Sequence, residues 1–214
     1  METCGRPLLK AALRLISEVG PTAFTLREVA RRAGVSHNAP YRHFRDREEL
    51  MAAVSTEGYG ELTRTTHEAI GQGSNPLTRL KQADLAYVKF ALRRPEHFTV
   101  MFDAPASKPS EKLCFNPAKM KIKHPEAAEA AETSFRALMT LVEACQQEGV
   151  LRDGDAKELA FLAWSMVHGI AKLAITGRLP FSSQKEILRF AEFVMENSLP
   201  TVVPGESQYV STSP

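Results

Sequence analysis

The 214-residue sequence has little of several things that would commit it to a simple class. It holds three cysteines, Cys4, Cys114 and Cys145, far apart and odd in number, with no CxxC pair and no Cys/His cluster. A disulfide framework and a structural zinc site are therefore unsupported, and a reducing cytoplasm fits this usage. An excess of one charge is also missing, since 27 Lys and Arg face 25 Asp and Glu. A net +2 is too small for a protein that holds nucleic acid by charge alone. The segment from Met1 to Lys10 lacks an apolar signal core. The longest apolar stretch, Ala160 to Ile175, is broken by Ser165, His168 and Lys172, and reads as too short and too polar for a membrane span. Alternation of the kind a strand requires is absent throughout.

What is present is helical periodicity on a chain able to fold. The sequence is 43% hydrophobic with 11 Phe, which excludes global disorder. A chain of this length buries roughly 70% of its unfolded surface, enough for one large domain or two small ones. Charge is uneven along it. Residues 1–50 carry nine basic and six acidic side chains, a basic head on a body that is close to neutral.

Leu8, Ala11, Ala12, Leu15, Ile16 and Val19 make a first helical stripe, stopped by Gly20-Pro21. Thr25-Leu26-Arg27-Glu28 reads as a capping box in which Thr25 caps and Glu28 reaches back. The helix it opens turns Leu26, Val29, Ala30 and Ala33 inward and ends at Gly34. A short second segment runs from Val35-Ser36 through Phe44. Asp46-Arg47-Glu48-Glu49 is a second capping box, opening a long helix toward Ile70. After the Gly71–Ser74 break, Asn75-Pro76 starts a helix to about Arg93, and Pro95 starts a short one through Phe102. Residues 103–124, with Pro105, Pro109 and Pro117, read as a long loop. Pro125 begins an Ala-rich helix ending near Gly149. Asp155 caps a very apolar helix to about Thr176, and Ser182 or Ser183 opens a last one with Ile187, Ala191, Val194 and Met195 inward. The expectation is an all-α protein of about nine helices. It has a helix-turn-helix domain over 1–46, a helical effector-binding and dimerisation domain over 47–200, and a flexible tail over 201–214.

Residues 25–47 hold the most informative chemistry. Two short helices joined by a glycine turn describe a helix-turn-helix, whose second helix enters the DNA major groove. Six arginines (27, 31, 32, 42, 45 and 47) stand between positions 27 and 47. Tyr41, Arg42 and His43 place hydroxyl, guanidinium and imidazole donors side by side. Ser36, His37 and Asn38 sit where the second helix starts and side chains reach base edges. The capped helix starts near Thr25 and Arg47 present backbone N–H groups suited to phosphates. An arginine cluster alone is usually a solvated face; the caps, the glycine turn and the Tyr-Arg-His-Phe run decide against that here. Phe44 reads as core.

This stretch resembles the TetR/AcrR family of bacterial transcription regulators. The resemblance rests on Phe24-Thr25-Leu26-Arg27-Glu28-Val29-Ala30, Ala33-Gly34-Val35-Ser36, Tyr41-Arg42-His43-Phe44 and Arg47-Glu48-Glu49-Leu50, and covers about residues 8–60. Trp164-x-x-x-His168-Gly169 and Arg94-Pro95-Glu96-His97-Phe98 resemble the WHG class of ligand domain within it. The resemblance implies a three-helix DNA-binding domain on an all-helical dimerising ligand domain. It implies that Tyr41, His43 and Arg47 grip phosphates, that Thr25 anchors the backbone, and that Arg27, His37 and Asn38 read or approach bases, with Ser36 and Arg42 beside them. Pro40 departs from the usual aliphatic residue. Its missing N–H, and the restriction it places on Ala39, shift the start of the recognition helix.

Phe98, Met101, Phe102, Phe135, Met139, Trp164 and His168 are the candidate effector contacts, because large adaptable side chains also line apolar pockets. Core packing competes with that reading at each. Gly169, Ile170, Leu173, Ala174, Phe190 and Val194 are the candidate dimer interface, on two helices more apolar than one subunit's core requires. Ser165 and His168 share a helix but lack an orienting carboxylate, so catalysis is disfavoured. Glu126, Glu129 and Glu132 line one helix face without a histidine and read as solvated; no metal and no cofactor is expected. Lys108, Lys112, Lys119, Lys121 and Lys123 make residues 103–124 basic, either a solvated loop or a lid over an anionic effector. The expected protein is a cytoplasmic repressor, binding double-stranded palindromic operator DNA as a homodimer and answering to an unknown small, largely apolar effector, with no membrane partner. The alternative is a regulator that uses the fold without a small molecule.

Overall fold

The structure is a computed structural model that describes residues 5–71, 73–103 and 121–198. Nine helical elements are found among them. They are α1 (Gly5–Val19), α2 (Leu26–Ala33), a 3-10 turn η1 (Pro40–Arg42), α3 (Arg47–Ile70), α4 (Pro76–Arg93), α5 (Pro95–Asp103), α6 (Pro125–Gln147), α7 (Ala156–Ile175) and α8 (Gln184–Ser198). The all-helical expectation holds. Of the segment expected as a loop, Asp103 belongs to α5 and residues 121–123 form a helical turn. Cys4, Cys114, Lys108, Lys112, Lys119, the three loop prolines and the tail lie outside the described residues.

Helix starts follow the local chemistry of the sequence. Thr25 Oγ1 accepts from Glu28 N–H at 3.2 Å, Asn75 Oδ1 from Thr78 N–H at 2.8 Å, and Asp155 Oδ1 from Lys157 N–H at 2.7 Å. Each satisfies one of the orphan donors of a helix start. Ser183 makes a complete capping box: its Oγ accepts from Glu186 N–H at 3.3 Å, and Glu186 takes the Ser182 and Ser183 N–H groups at 2.8 and 3.1 Å. At α2 the box is half made, a correction to the sequence expectation. Glu28 turns to Arg31, at 2.9 and 2.5 Å, because a guanidinium fork outcompetes one backbone N–H for a carboxylate.

The chain forms two compact units among these residues, one from 1–62 with 94–134 and one from 63–93 with 135–214. In the first, α1 packs on α2 and α5. Leu8, Ala12, Leu15, Phe24, Val29, Phe44, Leu50 and Val54 form the core, and Val100 of α5 joins it. Val19, expected on the inward stripe, is 49% exposed at the C-terminal end of α1. In the second unit α4 packs on α7 and α8. Its core takes Leu80, Val88, Ala91, Val142, Leu159, Ala163, Val167 and Met195. Helix α7, 20 residues with a window of mean hydropathy 1.3, is long and apolar enough to cross a membrane by length and composition. That corrects the shorter, more polar span expected from sequence; four further residues, Ala156 to Leu159, extend the helix.

Gly58 marks a close approach inside the first unit. A Cβ there would stand 2.5 Å from Met101 Sδ and 3.4 Å from His97 Cβ. Alanine in a helix gains about 1 kcal/mol over glycine. Overpacking costs about 1–3 kcal/mol, so the clash wins. Gly58→Ala is expected to lower stability in urea melts, and the same change in a Met101→Ala background to be neutral or stabilising. Equal effects in both backgrounds would show that α5 does not constrain position 58.

Candidate functional site

The site is built on a turn held at both ends. Gly34 ends α2 at φ 69°, where a side chain would be strained. Its N–H donates to Arg31 O at 3.2 Å, and Val35 N–H to Ala30 O at 3.1 Å, closing the helix end. Ser36 O then accepts from Ala39 N–H at 2.9 Å, Ala39 O from Arg42 N–H at 3.2 Å, and Pro40 O from His43 N–H at 2.9 Å. These three bonds span three residues, and Phe44 N–H to the same Pro40 O, at 2.8 Å, spans four; the expected second helix is a single 3-10 turn over Pro40–Arg42. Pro40 explains it, having no N–H to offer Ser36 in an α-helical bond. Ala39 nonetheless sits at φ −61°, ψ −42°, in the helical region that a following proline disfavours. The turn is fixed by burial instead: Pro40 and Phe44 point into the unit. Past it, Asp46 Oδ1 accepts from Glu49 N–H at 2.9 Å, and Glu49 returns to Arg45 N–H at 2.6 Å.

This leaves the sequence-selected residues in one run. Thr25, Arg27, Ser36, His37, Asn38, Tyr41, Arg42 and His43 are exposed, Tyr41 at 51%. Arg47 is half-buried. Its guanidinium donates to Thr22 O and lies 5.9 Å from the centroid of the Phe24 ring, so it ties α3 to the loop before α2. The six arginines divide by partner. Arg31 is held by Glu28, Arg32 by Glu18 with one contact at 2.7 Å, and Arg45 by Glu49 at 3.1 Å. Hydrogen bonds from Arg31 and Arg32 hold Glu28 and Glu18 below the usual carboxylate range. Arg27 and Arg42 have no ion pair among the described residues.

A pair that sequence reasoning missed fastens the first turn of α3. Lys123 Nζ reaches Glu48 Oε1 and Oε2 at 2.7 and 2.8 Å, and His124 Nε2 lies 3.2 Å from the same carboxylate. No local pattern announces it, since 75 residues separate the partners.

The effector candidates fall in two groups. Phe98, Met101 and Phe102 belong to the first unit. There Phe98 is fully buried, and Phe102 packs 4.8 Å from it and 5.9 Å from Tyr59. Phe135, Met139, Trp164 and His168 belong to the second. There the Phe135 ring lies 4.7 Å from Phe161 and 6.1 Å from Trp164. Tyr87 Oη and His168 Nδ1 are 2.8 Å apart, and Trp164 Nε1–H donates to the same oxygen at 3.1 Å. Ser165 Oγ is committed to Phe161 O at 2.6 Å. Cys145 is buried, as its stripe position suggested. Sequence reasoning passed over Asp84, buried on the inward face of α4; the signal was an acidic residue at a core position among Leu80, Ala83, Tyr87 and Ala91. Among the interface candidates, Leu173 is exposed, and Gly169, Ala174, Phe190 and Val194 are half-buried. Ile170 is 5% exposed and belongs to its own unit's core. Exposed Phe161, Leu162 and Phe193 were not among the interface candidates.

Residues 8–54 match the family described as bacterial regulatory proteins of the tetR family, and residues 80–197 match the tetracyclin repressor-like C-terminal domain. An HTH-type transcriptional repressor of Mycobacterium tuberculosis is 36% identical over 66 residues, covering 31% of this chain and 35% of that protein. The chain thus covers about a third of the length of the curated relative it matches. A solved structure from Rhodococcus sp. RHA1, a protein of unknown function, is 30% identical, covers 94% of this chain and 97% of that one, and superposes at a TM-score of 0.72. The fatty acid degradation regulator FadR of Bacillus halodurans shares the fold at a TM-score of 0.75 and 12% identity, over 94% of this chain and 99% of that one.

Hydrogen bonding from Lys123 is the main cause holding Glu48 below the usual carboxylate range. A carboxylate with a lowered folded pKa stabilises above its unfolded pKa, and that contribution is lost as pH falls through the folded value. Urea melts of wild type between neutral pH and pH 3 are expected to fall more steeply than those of Glu48→Gln. Superimposable profiles would show that the contact contributes nothing to stability.

Proposed function

The chain belongs to the TetR family of bacterial regulatory proteins, a family of non-enzymatic transcription regulators, and from that premise we propose that it is a cytoplasmic repressor that binds a palindromic operator as a homodimer and releases it on binding a small molecule. The observation that supports this most directly is the exposed run Ser36, His37, Asn38, Tyr41, Arg42 and His43 on a turn anchored by buried Pro40 and Phe44. Donors on a rigid turn meet a fixed pattern of base edges and phosphates without paying for their own ordering. In this reading His37 and Asn38 approach bases, with Ser36 beside them. Arg27 also approaches bases, Tyr41, His43 and the half-buried Arg47 approach phosphates with Arg42 beside them, and Thr25 positions the backbone. The DNA-binding domain is residues 1–46, and residues 47–200 hold effector and partner.

Binding-site selection from random DNA is the test. His37→Ala and Asn38→Ala are expected to relax the selected motif, each losing about 1–3 kcal/mol of discrimination. Tyr41→Phe and Arg42→Ala are expected to keep the motif while weakening binding to every sequence, and Arg42→Ala to shallow the salt dependence by roughly one counterion. A motif altered by Tyr41→Phe, or unaltered by both His37→Ala and Asn38→Ala, would overturn these roles.

The partner surface lies on α7. Leu162, Ser165, Gly169, Leu173 and Thr176 recur along one side of it; all but the half-buried Gly169 are exposed. Nothing lies within 4 Å of where a Gly169 Cβ would stand. A stripe of exposed leucines and small residues with an open glycine suits a second copy of the same helix, with Phe193, Phe190 and Val194 of α8 beside it. Two subunits then present their turns to successive half-sites. Effector binding among Phe135, Met139, Trp164 and His168, the last two in the Trp164-x-x-x-His168-Gly169 motif that resembles the WHG class, would shift α3 and change the spacing of the heads. DNA and effector affinities are then reciprocally coupled, typically by about 1–3 kcal/mol. Sedimentation is expected to show a dimer for wild type and monomers for Leu173→Glu and Phe193→Glu, with the melting temperature of each head retained. Ile170→Glu is expected to unfold the second unit, because it buries a charge. A monomeric wild type at micromolar concentration would remove both the interface and the palindrome.

A further inference from the structure

The second unit buries a carboxyl that nothing in it explains. Asp84 is 2% exposed, and its Oδ2 has no hydrogen-bond partner. It stands on the inward stripe of α4 with Leu80, Ala83, Tyr87 and Ala91. Among the described residues no other acidic or basic side chain of this unit is buried. Ionised, it would have lost its water with nothing in exchange. Burial accordingly pushes its pKa well above the usual carboxylate range, which favours the uncharged acid.

Its stripe neighbours on α4 are apolar, with Tyr87 one turn along. From α6 it is faced by Cys145, a thiol pushed up to about 11 by burial first and then by Glu148 and Asp84. One turn along α4, Tyr87 joins His168 and Trp164 of α7 in hydrogen bonds of 2.8 and 3.1 Å. The Trp164 ring lies 6.1 Å from both Phe135 and Phe161. Lys81, one turn the other way, lies 3.9 Å from Glu196 of α8. Ring faces attract cations, and a buried carboxyl without an internal counter-ion can take one from a ligand. An anionic ligand would meet no buried cation among the described residues of this unit, and an acid besides.

We propose that Asp84 is the head-group site of the effector and that the effector is an apolar organic amine, bound as the ammonium beside the aromatic side chains. This rests on the reading of the protein as an effector-responsive regulator and names the ligand class of that site. The balance is simple. R–NH3+ and Asp84–COOH give the ion pair of R–NH3+ with Asp84–COO−, and one proton leaves to solvent. No covalent bond other than that O–H is broken, and none is formed in the complex.

The test uses the full chain with n-octylamine, 1-octanol and octanoate, which differ only in the polar end. Calorimetry at pH 7 in two buffers of different ionisation enthalpy counts protons. Octylammonium is expected to bind wild type at least tenfold more tightly than octanol and to release close to one proton. Asp84→Asn, a near-isostere, is expected to lose both the tenfold margin and the proton. The proton count on wild type needs no variant, so the proposal stays testable if Asp84→Asn folds poorly. Octylammonium binding without proton release, tighter binding of octanoate, an Asp84→Asn that keeps the margin, or no binding of any of the three would each overturn it. Release of the selected operator is followed in parallel. Release by octanol or octanoate but not by octylamine overturns the amine and leaves the effector-responsive reading standing. Octylamine bound with proton release but without effect on operator affinity leaves Asp84 as a ligand site and removes that reading.

Discussion

One missing N–H shapes the working surface of the head. Pro40 cannot donate to Ser36 O, so Ala39 does, and the segment winds as a 3-10 turn. A 3-10 turn rises about 2 Å per residue against 1.5 Å in an α-helix, and it is marginal without outside support. Support comes from tertiary packing. Pro40 and Phe44 are buried, Gly34 closes the helix before the turn, and Asp46 caps the helix after it. The exposed donors are therefore as well placed as the core beneath them. In the proposed reading, a mutation in that core would reach DNA affinity without touching a single donor.

The same logic sorts the arginines. Counting them suggests six equivalent cations, yet the fold makes them unequal. Arg31 and Arg32 share acidic neighbours on α1 and α2, and Arg45 returns to Glu49. Exposed pairs of this kind contribute little to stability, because water screens them and both long side chains lose freedom. Their larger effect is on geometry, because a paired guanidinium is held on the protein's side of the surface. Arg47 is held by a carbonyl and an aromatic ring. It positions the start of α3 as well as presenting charge, so its loss mixes two effects that Arg27 and Arg42 keep apart.

What could be read in the sequence is what local chemistry decides. Asn75 and Asp155 cap where expected, and Ser183 is the one of two expected serines that caps, because cap and helix lie within three residues. The helix-turn-helix was legible for the same reason, Gly34 demanding a turn and Thr25 a start. Choices between distant partners were not legible. Glu28 had a backbone N–H and two arginines within reach, and only the folded geometry shows that Arg31 wins. Ile170 and Leu173 look alike on a helix that is apolar all round; one is core and the other surface according to where α4 lies. Val100 of α5 joins the head's core although 46 residues separate it from Val54, a pairing that no window over the sequence contains. Lys123 and Glu48 are a pair of the same kind.

Helix α7 shows why such a sequence is useful. Its inner side packs on α4 through Ala160, Ala163, Val167 and Ile170 and carries the polar contacts of Trp164 and His168 to Tyr87. Its outer side exposes Phe161, Leu162 and Leu173. A close-packed interior does not deform smoothly; its helices move between discrete arrangements. A charge appearing at Asp84 would alter the balance of forces between α4 and α7, one turn from the Tyr87 hydrogen bonds. Any resulting shift of α7 must also move its outer side, where a second copy would pack. Ligand chemistry and subunit geometry would then share one rigid element, and their coupling would need no chain of intermediate residues.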